Sequence, residues 1–108
     1  MSSDSVIVTY PSPHQTIGQE FTLIGKARGT WYFEASFPVT LIGENKEVLT
    51  QGIATAVGDW MTTEFVPFKV TLKIATPYVG KATLILRKDN PSGLPQNDAS
   101  FLVPVIIQ

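Results

Sequence analysis

Phe33-Glu34-Ala35-Ser36-Phe37-Pro38-Val39-Thr40-Leu41 carries apolar residues at its odd positions and polar residues or proline at its even ones. Successive side chains of a β-strand point to opposite faces, so this alternation reads as a strand with one face buried and one wet. The strand is expected to run from Tyr32 to Ile42. Similar runs flank it on both sides, bounded by Gly, Pro, Asn or Asp, and none has helical periodicity.

Upstream, Val6 to Tyr10 reads as a strand that Pro11-Ser12-Pro13 stops, because proline offers no ladder donor and restricts its predecessor. Residues 14–20 read as a polar loop. Phe21 to Arg28 follows, alternating Phe21, Leu23, Gly25 and Ala27 against Thr22, Ile24, Lys26 and Arg28, with a turn at Gly29-Thr30. Downstream, Gly43-Glu44-Asn45-Lys46 has hairpin length. It leads into a strand from Glu47 to Val57, in which Gly52 suggests a bulge or a close backbone approach. Further strands are expected over Phe65–Ala75, Lys81–Lys88 and Ala99–Ile107, the last two separated by a polar loop from Asp89 to Asp98. About seven strands at this spacing predict an all-β, immunoglobulin-like antiparallel β-sandwich with little or no helix. Phe21, Leu23, Phe33, Phe37, Val39, Leu41, Phe68, Val70, Leu72, Leu84, Leu86, Val103 and Val105 are its expected core.

The chain has 108 residues, 44% of them hydrophobic and 16% charged, with net charge −1. That suits one ordered domain, taken as residues 6–108 behind a frayed start at residues 1–5. The near-neutral charge gives no domain-wide footprint for nucleic acid, and no apolar stretch is long enough to span a bilayer. Cysteine is absent, which excludes disulfides, thiol nucleophiles and cysteine-based zinc sites. Met1-Ser2-Ser3-Asp4-Ser5 lacks an apolar signal core. Two readings stay open: a cytoplasmic chain, or a segment of an exported protein without its leader or lipoprotein anchor.

Candidate chemistry is sparse. His14, the one histidine, sits among Pro, Ser and Gln and reads as an exposed loop residue, since a triad would demand a nucleophile and an orienting acid beside it. No two carboxylates show the spacing of an acid/base pair. Asp89, Asn90, Asn97 and Asp98 offer hard oxygens of the kind calcium prefers, but they fall short of its usual ligand count of about six to eight and read as turn residues. No cofactor and no enzymatic activity are expected. Arg28 and Glu34 flank a turn and are expected to pair across it. Trp31 and Tyr32 offer a stacking surface for a sugar, but Trp31 is read as capping the core, and Trp60 as part of it.

Two surfaces stand out once immunoglobulin-like strand order is assumed. Lys26 and Arg28 would lie beside Lys69 and Lys73 on one outward face, a solubilising surface or a contact for anionic envelope polymer. On the opposite sheet the last strand is apolar on both faces. Leu102 and Ile106 would then join Ile85, Pro38 and Ile42 in an outward apolar patch, a partner-binding face unless the N-terminal segment or a long loop covers it.

The ordered set Gly25-Lys26-Ala27-Arg28, Phe33-Glu34-Ala35, Phe37, Trp60, Phe65, Phe68, Asp89-Asn90-Pro91-Ser92-Gly93-Leu94-Pro95 and Asp98-Ala99-Ser100 resembles the immunoglobulin-like domain associated with bacterial spore germination. Pro11 to Gly18 and Val103-Pro104-Val105 are also similar, and Asp89 to Val105 is the most specific part. The resemblance implies a sandwich without the usual disulfide. It also implies an extracytoplasmic setting, secreted or lipid-anchored at the bacterial cell surface, often beside other modules, and it brings no catalytic residues. The expected function is a non-catalytic binding or adaptor module whose partner is a protein or a cell-envelope component, with weak self-association through the apolar face. The alternative is a passive spacer that positions a neighbouring module.

Overall fold

The computed structural model describes residues 5–32, 35–88 and 100–108. Eight strands form: β1 (Val6–Tyr10), β2 (Gln15–Ile17), β3 (Glu20–Arg28), β4 (Ser36–Gly43), β5 (Val48–Ala56), β6 (Phe65–Lys73), β7 (Gly80–Arg87) and β8 (Ser100–Ile107). They make one curled sheet in the order β1-β3-β6-β5-β4-β7-β8-β2. Among the described residues the helical content is a single 3-10 turn over Gly29–Trp31. All pairings are antiparallel except β2 with β8. The expected neighbours are therefore present: β3 beside β6, β8 beside β7, and β7 beside β4.

The sheet divides into β1-β3-β6 and β5-β4-β7-β8-β2, joined through Thr55↔Lys69 and Ala56↔Phe68. Phe37 on β4 meets Phe68 on β6 with ring centroids 5.0 Å apart and nearly perpendicular planes, so the two groups of strands close on a shared core. This is consistent with the two-layer packing of an immunoglobulin-like domain. The alternation explains who is inside. Phe37, Val39 and Leu41 on β4, Leu84 and Leu86 on β7, and Val103, Val105 and Ile107 on β8 are all essentially inaccessible to solvent. Trp31 and Tyr32 are buried against Phe37, so the aromatic pair completes the core instead of presenting a stacking surface. Trp60 is half-buried against the same cluster.

Several expectations need correction. The loop expected over residues 14–20 contains β2, and the strand count is eight, not seven. With one apolar residue in three, Gln15-Thr16-Ile17 has no readable period, and its partner β8 is distant in sequence. β4 starts at Ser36 rather than Tyr32, because Ala35 adopts φ 69° and interrupts the extended backbone. Val70 is only partly buried. Gly52 marks a close approach but no bulge: a Cβ there would sit 2.7 Å from Leu72 Cδ2, whereas the register shift falls between Leu41 and Ile42. Arg28 lies 3.7 Å from Glu64, an ion pair that was not expected, while the expected pairing of Arg28 with Glu34 falls outside the described residues. The expectations for Phe33, Glu34, the start at residues 1–4 and the loop carrying Asp89, Asn90, Asn97 and Asp98 lie outside the described residues.

Candidate functional site

Because Phe37, Val39 and Leu41 point inward, Pro38, Thr40 and Ile42 point outward from β4, and the ladders carry the same face across β7 and β8. Thr40, Ile85 and Leu102 form one cross-strand row. Ile42, Thr83 and Pro104 form the next, and Lys81 faces Ile106, which in turn faces Thr16 of β2. Pro38 lies opposite Ile53 on β5. The five residues expected to share an outward face do share it, interleaved with Thr40, Thr83 and Lys81. Leu102 is 52% exposed and Ile106 37%. Among the described residues β2 pairs along the edge of β8 and leaves both exposed; the long loop between β7 and β8, the other cover expected for this face, lies outside the described residues. Sequence reasoning missed Ile53, 57% exposed on the same face. Its signal was an outward isoleucine between Gln51 and Thr55.

At one end of this face lies an open cleft of about 360 Å³, lined along the sheet by Ile42, Thr83, Pro104, Lys81 and Ile106 and flanked by His14, Glu44 and Lys46. One wall is the β4–β5 turn, closed by Gly43 N–H donating to the Glu47 carbonyl at 2.9 Å and Lys46 N–H to the Gly43 carbonyl at 3.0 Å. The opposite wall holds His14, whose N–H donates to the Pro104 carbonyl at 2.7 Å. A side-chain brace keeps turn and sheet in register. The Tyr78 hydroxyl donates to the Lys81 carbonyl at 2.7 Å and accepts from Glu44 N–H at 3.0 Å. Gln19 holds Tyr78 in turn: its Nε2 donates to the Tyr78 carbonyl at 2.6 Å and its Oε1 accepts from Tyr78 N–H at 3.0 Å. Neither Gln19 nor Tyr78 is marked by any local motif; their pairing spans 59 positions.

The four cations of the basic face also share one outward surface, on β3 and β6. Each has a distinct setting. Lys69 lies between Ile24 and Thr55, Lys73 opposite Glu20, and Lys26 opposite Pro67. The Arg28 guanidinium carbon stands 4.2 Å over the Phe65 ring and pairs with Glu64, so acidic neighbours dilute the positive potential. Among the described residues no group of three or more His, Asp or Glu is placed to hold a metal ion. No described helix is long and apolar enough to cross a membrane.

The model of a family described as the immunoglobulin-like domain of bacterial spore germination matches residues 5–94, which includes β1 to β7. The similarity noted at Asp98-Ala99-Ser100 and Val103-Pro104-Val105 lies beyond that match. No curated protein matches the chain.

Proposed function

The chain belongs to the immunoglobulin-like domain family of bacterial spore germination, and we propose that it serves as a non-catalytic binding or adaptor module whose contact surface is the outward face of β4, β7 and β8. The exposed Leu102 beside Ile85, with Ile106 two rows on, carries this reading. A half-solvated antiparallel sheet normally turns polar residues to water. A face that turns Ile53, Ile85, Leu102 and Ile106 outward costs solubility unless something covers it. We place the module outside the cytoplasm beside other domains, as the resemblance implies. Its partner is then a neighbouring domain of the full-length protein or a second copy of this one. The test replaces Leu102 with Lys and Ile106 with Glu, then measures solution mass and binding to the remainder of the precursor. Loss of association with an unchanged fold supports the module. An unchanged mass and unchanged binding sink it and leave a passive spacer.

A further inference from the structure

We propose that the cleft between the β4–β5 turn and the ends of β7 and β8 binds a small organic anion, a carboxylate on a hydrocarbon body. This goes beyond the docking reading, since Ile85 and Leu102 lie outside the cleft. Three independent observations converge on it. The first is size and lining: about 360 Å³, with Ile42, Pro104 and Ile106 supplying apolar surface, falls in the range of small-molecule sites, roughly 300–1,000 Å³. The second is charge: of the charged side chains lining the cleft, Lys46 and Lys81 outnumber Glu44, while the nearby Glu47 carboxylate is engaged by Asn45 N–H within the turn, so the lining favours an anion and Ile42, Pro104 and Ile106 favour hydrocarbon. The third is backbone conformation. Three described non-glycine residues take positive φ, and two of them, His14 and Lys46 at 64° each, line this cleft from opposite walls. Histidine enters this region more readily than lysine, whose φ here also closes the hairpin turn, and non-glycine residues held in it gather at ligand clamps. The Gln19–Tyr78 brace holds the β4–β5 turn against β7, and the bond from His14 N–H to the Pro104 carbonyl holds the other wall, so the site is formed before the ligand arrives and binding need not repay the ordering of a loop.

The test titrates the isotope-labelled chain with octanoate and, separately, with octylammonium, which has the same tail and the opposite charge, while amide NMR shifts are followed. Octanoate is expected to shift His14, Lys46, Lys81, Thr83 and Ile106 saturably and to bind about tenfold more tightly than octylammonium, as a sum of exposed charge contacts allows. Lys81→Glu is expected to weaken octanoate by about fivefold, and Glu44→Gln to tighten it by about twofold, with added salt narrowing both differences. Lys46→Asn tolerates the same backbone conformation and is expected to weaken binding without changing the fold. Equal affinity for the two amphiphiles, or octanoate shifts centred on Ile85 and Leu102, would overturn the proposal. So would binding to anionic phospholipid vesicles by a chain that does not respond to octanoate. The Leu102→Lys variant, which leaves the cleft lining intact, reports on protein docking separately, so either idea can fail alone.

Discussion

Phe37 is the residue on which the core depends most, and replacing it tests the packing argument directly. Its ring is fully buried and meets three others edge-on: Trp31 at 5.9 Å, Tyr32 at 5.2 Å and Phe68 at 5.0 Å between centroids. Truncating a buried phenylalanine to alanine typically costs about 3–5 kcal/mol through lost burial and the cavity left behind. Each edge-on pair adds about 0.5–1.5 kcal/mol beyond area, so Phe37→Ala belongs at the top of the range, about 4–5 kcal/mol. That is a large part of the roughly 5–15 kcal/mol holding a domain of this size together, and it lowers Tm by 15 °C or more on the usual conversion of about 4–8 °C per kcal/mol. Urea unfolding followed by fluorescence and by far-UV dichroism measures it. Phe37→Leu keeps most of the volume and should stay folded, at a cost of about 1–3 kcal/mol. Combined with Phe68→Leu in a double-mutant cycle, it should show a coupling of about 0.5–1.5 kcal/mol. A cost below about 1.5 kcal/mol for Phe37→Ala at unchanged urea slope, or a coupling near zero, would show that the two groups of strands do not meet through these rings.

Gly25→Ala should destabilise by about 1–3 kcal/mol although it adds a single methyl group. The new Cβ would meet the Ile7 carbonyl and lie 2.8 Å from Phe68 Cζ, and backbone cannot step aside as a flexible side chain does; a urea midpoint equal to that of the parent would contradict the packing of β1 against β3. Tyr32→Phe should cost about 1–3 kcal/mol near neutral pH, because it leaves the Val66 carbonyl without the 2.7 Å bond from the phenol. Burial also pushes the Tyr32 phenol well above its ordinary range. The unfolded chain therefore ionises first, and the stabilisation present below about pH 10 is lost as pH rises beyond it. Midpoints measured between pH 8 and 11 should fall more steeply for the parent than for Tyr32→Phe; parallel curves would contradict the burial.

The strands that were legible in the sequence are those whose neighbours enforce a two-residue period. β3 and β4 each bury one face completely, so every second residue had to be apolar. β2 was not legible because it is an edge strand held by backbone bonds to β8, and backbone bonding imposes no pattern on three side chains. The late start of β4 was hidden for a related reason. Phe33 to Leu41 alternates without a break, yet the chain turns at Ala35, where the φ of 69° turns the backbone after Trp31 and Tyr32 have entered the core. Periodicity reports which face a residue needs; it is blind to a single residue that leaves the extended region.

The apolar face and the cleft beside it differ in the same way. Pro38, Ile42, Ile85, Leu102 and Ile106 could be read ahead of the structure because each breaks the inward-apolar, outward-polar rule on its own strand, and strand order then places them together. The cleft has no such signature. Its walls come from the approach to β2, the β4–β5 turn, and the ends of β7 and β8. Its brace joins Gln19 to Tyr78, residues that look like ordinary loop polarity when read along the chain. His14 looked like an exposed loop histidine for the same reason, and it is exposed. What the linear reading lacked was that its backbone is tied to Pro104, which fixes it across from Lys46. A site assembled from turns and strand ends by backbone bonds leaves its functional side chains unconstrained by core packing. Those side chains are therefore free to be selected for a ligand, and substitutions at Lys46 or Lys81 should change what the cleft holds while leaving the stability set by Phe37 and its neighbours untouched.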